Sequence, residues 1–149
     1  MKGRLYIGRV YEFRKIKERY PKMLLISVMR WHPRYIRLEA NEILHMKCLS
    51  PSIKLLKYYQ EKEKSEKNWQ SFVTAFAEEF MESKLAADGR FLVRNLLMHG
   101  TDIVLLCHEK RNENCHRKVL PSLLLNEDEI DEVYQGEVVL ENMVQETLW

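Results

Sequence analysis

The order of apolar runs and amphipathic stretches predicts an α/β fold: a three-layer, mainly parallel sheet with flanking helices, in a single domain. Three observations carry this. Met23–Met29 and Ile103–Cys107 are short, nearly continuous apolar runs, as expected of strands covered on both faces. The stretch from Trp69 to Phe80 has apolar residues at helical spacing. Near the N-terminus, a strand-like run, a helical stripe and a second strand follow one another as a βαβ unit, which is parallel and right-handed.

Leu5–Val10 reads as the first strand, with Tyr6 and Ile7 as its β-prone residues. In Glu12–Tyr20, Phe13, Ile16 and Tyr20 share one helical stripe, and Pro21 stops it. After the second strand, Arg30–Leu38 turns aromatic and basic around Pro33, which makes it a loop at the C-terminal end of that strand. Ligands collect at that end of open α/β sheets. Asn41–Met46 reads as a short helix, Ser50-Pro51 as a helix start, and Lys54–Lys64 as the helix with a solvated end. The strongest helix follows Asn68 as N-cap and turns Trp69, Phe72, Val73, Phe76 and Phe80 to the core. Arg90–His99 is a further helix, with Leu92, Leu96 and Leu97 inward and Gly100 as its C′ residue. The strand to Cys107, a loop His108–Asn114 and a helix Cys115–Leu125 come next, with Pro121 expected to kink or shorten that helix. Glu132–Leu140 reads as an edge strand or a hairpin around Gly136, and Glu141–Trp149 as helix.

Composition narrows the class. With 149 residues, 46% hydrophobic and 31% charged, the chain is long enough for one full core and too apolar to be disordered. Its apolar runs are far shorter than the roughly 20 residues that span a bilayer. The start Met1-Lys2-Gly3-Arg4 has no secretory apolar region, and three cysteines without framework spacing point to reduced thiols in a cytoplasmic protein. Charge is uneven. Residues 126–149 hold eight of the 22 acidic side chains and none of the 24 Lys and Arg, which leaves the body at +10. The division is therefore an α/β domain over 1–125 and an acidic C-terminal extension over 126–149, packed on the same domain. That extension either neutralises its own surface or covers a basic face that binds phosphate or nucleic acid.

The chemistry concentrates in one segment. The strand Ile103–Cys107 delivers a thiol at a sheet edge, and eight positions later Cys115-His116-Arg117 opens a helix. With Asn114 as cap, Cys115 lies in the first turn, where the helix dipole stabilises a thiolate, aided by His116 and Arg117. The candidate catalytic residues are Cys115, His116 and Cys107. The candidate anion-binding residues are Arg117, Arg30 and Arg34. A zinc set of Cys107, Cys115, His116 and one of His32 or His108 is the weaker alternative, because this cysteine spacing is not a finger pattern. No metal and no cofactor are expected. Each residue also has a plainer role: Cys107 as a small buried hydrophobe, and Arg117 as a salt-bridge partner of Glu109 or Glu113. A cysteine at a helix start, as Cys115 is, is the more exposed kind. Cys48, His45 and His99 read as incidental.

Ile103–Cys107, a polar loop, Cys115-His116-Arg117 and the apolar helix resemble the domain of unknown function family 488. Asn68-Trp69-Gln70-Ser71-Phe72 is similar to the family's Trp-x-x-Phe helix start, and Trp31-His32-Pro33-Arg34 resembles its arginine- and proline-containing loop. The likeness runs from Trp69 to Leu124 and, more loosely, from Leu24 to Arg34. It departs in two places: Val28 or Met29 stands where the family usually carries an Asp, and Pro121 replaces an ordinary helix former. The family is itself functionally uncharacterised, so the resemblance implies a fold and a site but no reaction.

Three functions follow. The first is a thiol-dependent enzyme acting on an anionic, phosphate- or carboxylate-bearing substrate. The second is a module binding nucleic acid or phosphate through the basic body, with Trp31 and Tyr35 stacking on bases. In the third, the cysteine segment is purely structural. The expected partners are an anionic small molecule or nucleic acid, with no membrane.

Overall fold

The computed structural model describes residues 1–109 and 113–140 and shows a single α/β domain. Five strands, β1 (Leu5–Arg9), β2 (Leu24–Ser27), β3 (Ile43–His45), β4 (Ile103–Cys107) and β5 (Tyr134–Glu137), form one sheet in the order β3-β2-β4-β1-β5. Every neighbouring pair is parallel. The helices are α1 (Phe13–Arg19), α2 (Ile53–Gln60), α3 (Glu66–Glu82), α4 (Lys84–Met98), α5 (His116–Leu124) and α6 (Glu127–Val133).

β4 is the central strand, and all five of its residues are buried. Successive side chains of a strand point to opposite faces, so both faces of the sheet are covered, which makes three layers. The register sets Arg9 beside Cys107 and Ser27 beside Leu106, which aligns the C-terminal ends of β1, β2 and β4. From β2 the chain moves outward to β3, and from β4 it moves the other way to β5. Connections that leave neighbouring strands in opposite directions open a crevice between them. That crevice lies between the ends of β2 and β4.

β1 and β2 are parallel, as the βαβ reading expects, with β4 inserted between them. Several elements differ from the sequence expectation. Asn41–Met46 is not a helix: Ile43 is buried, and Ile43–His45 pairs with Leu25–Ser27. Of the two readings around Gly136, the hairpin gives way to the edge strand: β5, four residues long, pairs in parallel with β1. The helix starts shift to serines whose side chains accept from first-turn N–H groups. Ser52, not Ser50-Pro51, caps α2, which ends at Gln60 before Lys64. Ser65 caps α3 through the Asn68 N–H, so Asn68 is its recipient and not the cap. Ser83 caps α4, whose first residue, Lys84, lies six positions ahead of Arg90. α5 runs through the buried Pro121 to Leu124.

Other expectations hold. Trp69, Phe72, Phe76 and Phe80 are buried along α3, with Val73 half-buried. Gly100 has φ +93°, and the bonds Gly100 N–H to Leu97 C=O and Thr101 N–H to Leu96 C=O close α4 in a Schellman motif. The expected helix over 141–149 and the middle of the loop after Cys107 lie outside the described residues. In the acidic stretch up to Leu140, three carboxylates form ion pairs. Glu129 pairs with Arg94, Glu132 with Lys2 and Glu137 with Arg117.

Candidate functional site

At the end of β4 the chain leaves the sheet at Cys107 and returns at Cys115, which is itself the N-cap of α5, with extended backbone and φ −152°. Asn114 therefore precedes the cap and His116 is the first helical residue. The helix start brings three side chains together. His116 Nδ1 lies 3.8 Å from Cys107 Sγ and 4.0 Å from Cys115 Sγ. Its Nε2 is 2.7 Å from the Val28 carbonyl, which can only accept, so Nε2 carries a proton and Nδ1 is turned to the sulfurs. Phe76 of α3 stands edge-on to the imidazole, with ring centroids 5.9 Å apart. The ring is thus fixed by β2 on one side and by the aromatic stripe of α3 on the other.

Both thiols are buried. Cys107 is 0% exposed and Cys115 4%, which corrects the expectation of a more exposed Cys115. Burial alone pushes both thiols up. For Cys115 the hydrogen bond from Cys107, that from His116 and the charges of His116 and Arg117 overcome it and hold the group well below the ordinary thiol range. For Cys107, burial and then the hydrogen bond and charge of Cys115 raise it well above that range, against the His108 N–H and Arg117. The two shifts are opposite in direction, so Cys115 is the thiol of the pair that ionises first.

Arg117 is 0% exposed. Its Nη2 is 3.1 Å from Glu137 Oε1, and Nη1 donates to the Glu109 carbonyl at 2.8 Å. Among the described residues its ion-pair partner is thus neither of the carboxylates expected from sequence. The Glu109 side chain instead pairs with His108 Nε2 at 2.7 Å, which raises His108 and lowers Glu109 from their ordinary values.

A cleft of about 460 Å³ opens beside the thiols at the ends of β2 and β4, lined among others by Arg30, Trp31, Tyr59, Lys64, His108 and His116. Asn114, which precedes Cys115, lines it too, so the sulfurs lie behind the wall made by His108, Asn114 and His116. Its cations Arg30 and Lys64 are accompanied by Glu66, Glu109 and Glu113. Arg30 reaches it while donating to the Pro51 carbonyl. Arg34 does not line this cleft and faces a separate depression. The structure therefore brings together Cys107, Cys115, His116 and Arg117, sets Arg30 at the rim, and keeps Arg34 apart.

Cys107, Cys115 and His116 offer ligand atoms within 4.8 Å of one another, a set able to hold a soft ion such as zinc. His32 is no fourth ligand: its two nitrogens meet Ser27 Oγ and the Ile36 carbonyl. His108 lies outside the set, with its Nε2 engaged by Glu109.

Residues 9–128 match the family model DUF488-N3a, described as the active DUF488-N3 subclade. The chain belongs to that family. No curated protein and no solved structure matches the chain. Within DUF488-N3a, the matched span covers Cys107, Cys115, His116 and Arg117 but ends before Glu137, the carboxylate that neutralises Arg117. Sequence reasoning missed Glu137, Tyr59 and Lys64. Glu137 was visible only as one of several acidic residues in the extension, and α2 had no signal that directed it to the β2–β4 crevice.

Proposed function

We propose that this DUF488-N3a protein is a thiol-dependent enzyme in which Cys115 is the nucleophile. The observation that carries the reading is the Cys115–Cys107–His116 triangle beside the cleft, with the buried Arg117 charge behind it. A buried thiol with no such company is inert. Here a second thiol donates to the sulfur, an imidazole faces both, and a fixed cation favours the thiolate. The description of the matched family model as active supports a catalytic over a purely structural role for the segment.

The substrate carries a phosphate or carboxylate and is held in the cleft by Arg30 and Lys64. Arg117, occupied by Glu137, sets the thiolate and does not clamp the substrate. Cys115 Sγ, as the thiolate, attacks an electrophilic carbon or phosphorus. The bond to the leaving group breaks, and that group departs with the proton held by His116. Water then cleaves the S-linked intermediate: its oxygen bonds to the substrate fragment, Cys115 Sγ leaves as the thiolate, and the remaining proton returns to His116.

The test is the pH dependence of alkylation at each cysteine, read by peptide mass spectrometry on chelator-treated protein. The expected result is an apparent pKa for Cys115 well below the roughly 8.5 of a free thiol, with Cys107 unreactive over the same range. Two inert thiols, or stoichiometric zinc whose removal unfolds the protein, would overturn the nucleophile and leave a structural metal centre.

A further inference from the structure

Next to the cleft, and sharing Arg30 and Trp31 with it, is a second depression of about 400 Å³. Among the described residues its other cations are Arg34, Arg37 and Lys47, and no carboxylate lines it. Among the described residues none of these four cations is in an ion pair. Glu42, on the loop leading into β3, is drawn away to Lys17 at 3.6 Å. Among the described residues the cleft differs, since Glu66, Glu109 and Glu113 accompany Arg30 and Lys64 there. Uncompensated cations around a concavity focus positive potential there.

Aromatic faces accompany the charge. Trp31, at the junction of the two concavities, is 56% exposed. Tyr35, between Arg34 and Ile36 of the depression, is 75% exposed and stacks on Tyr11 with centroids 6.2 Å apart. The Arg9 guanidinium lies 5.0 Å over the Tyr11 ring. Large aromatic rings held out to solvent beside free cations serve a ligand that has both phosphates and flat apolar rings. A protein or lipid surface needs no such alternation, whereas a single nucleic-acid strand supplies it: backbone charges for the arginines and unpaired bases for the rings.

We propose that this depression binds single-stranded nucleic acid, with phosphates on Arg30, Arg34, Arg37 and Lys47 and a base stacked on Trp31. The strand is thereby directed into the adjoining cleft. This names the substrate class of the thiol site and rests on that reading for its catalytic consequence, though binding itself does not require Cys115.

The experiment is fluorescence anisotropy with labelled single-stranded oligonucleotides across a salt series. It uses the full chain, Trp31→Ala, the double variant Arg34→Ala/Lys47→Ala, and Cys115→Ser. The expected results are binding that weakens steeply with salt, a loss of roughly ten-fold for Trp31→Ala, and a log–log salt slope shallower by about 1.4 in the double variant. Cys115→Ser binds as the unaltered chain does. The substituted positions of the binding variants are exposed, so unchanged melting curves confirm that their folds are intact. Absent or salt-insensitive binding, an affinity indifferent to both binding variants, or equal affinity for duplex would overturn the proposal. Binding with the expected losses but an inert Cys115 would leave the inference standing and remove the thiol chemistry instead.

Discussion

Arg117 and Arg34 show what position does to the same side chain. Arg117 follows the N-terminal residue of α5 into the core, has no exposed surface, and is held by Glu137 and the Glu109 carbonyl. Arg34 sits in the loop after β2, exposed, in a depression that no carboxylate lines among the described residues. The first is a fixed charge whose audience is the thiol pair. The second is open to a ligand from solvent. Grouped in the sequence as one anion clamp, they divide in the fold between making a thiolate and meeting an anion.

The largest way to break this contrast is Arg117→Met. It leaves Glu137 partly buried without its cation, and removing one member of such a pair costs about 3–5 kcal/mol. Urea unfolding at constant m measures it, and Arg117→Met/Glu137→Gln recovers a large part of the loss. A change under about 1 kcal/mol would mean that the Arg117 charge is not locked in place.

A smaller effect separates the two thiols by pH. The folded-state pKa of Cys115 is depressed, so its contribution is full above roughly 8.5 and is lost as pH falls through the depressed value. Cys107 is raised, so its contribution is full below that same reference and is lost as pH climbs through the raised value. Stability therefore rises with pH on the acid side of the free-thiol pKa and falls beyond it. Cys115→Ser removes the rising limb in denaturant midpoints taken across a pH series, while Cys107→Ala removes the falling one. A rise that survives Cys115→Ser would assign it to another group.

Least affected is the exposed partner in the comparison. Arg34→Ala and Lys47→Ala each change stability by no more than about 0.5 kcal/mol, read as urea midpoints, whatever they do to ligand binding. A larger loss would show that these cations support the fold.

The two regions also differ in how far the sequence disclosed them. Strand β4 and helix α3 were legible because local pattern and burial agree: IVLLC is apolar throughout and buried throughout, and the aromatic stripe of α3 faces the core as its spacing requires. The Cys107–Cys115–His116 cluster was legible for a related reason, since a strand end and a helix start close in sequence must meet at one sheet edge. β3 was not. Its three residues are a strand only because β2 offers an edge, a tertiary effect that outweighs local preference. Cys115 as cap and Asn68 as recipient were missed because several polar residues compete at each helix start, and backbone geometry chooses among them. The Arg117–Glu137 pair was hidden most deeply, since it joins α5 to an edge strand that closes the sheet on the far side of β1. No periodicity in either segment points to the other.

The most direct test of the central claim, that Cys115 is the thiol of the pair that ionises first, is an ultraviolet absorbance titration of thiolate. It is run on the folded chain, Cys115→Ser and Cys107→Ala, with each protein unfolded in denaturant as its reference, and it does not depend on reagent reaching buried sulfur. One thiolate ionising well below the unfolded reference, absent in Cys115→Ser and shifted upward in Cys107→Ala, is the predicted result. An ionisation in the folded chain that coincides with the unfolded reference, or that persists unchanged in Cys115→Ser, would contradict it.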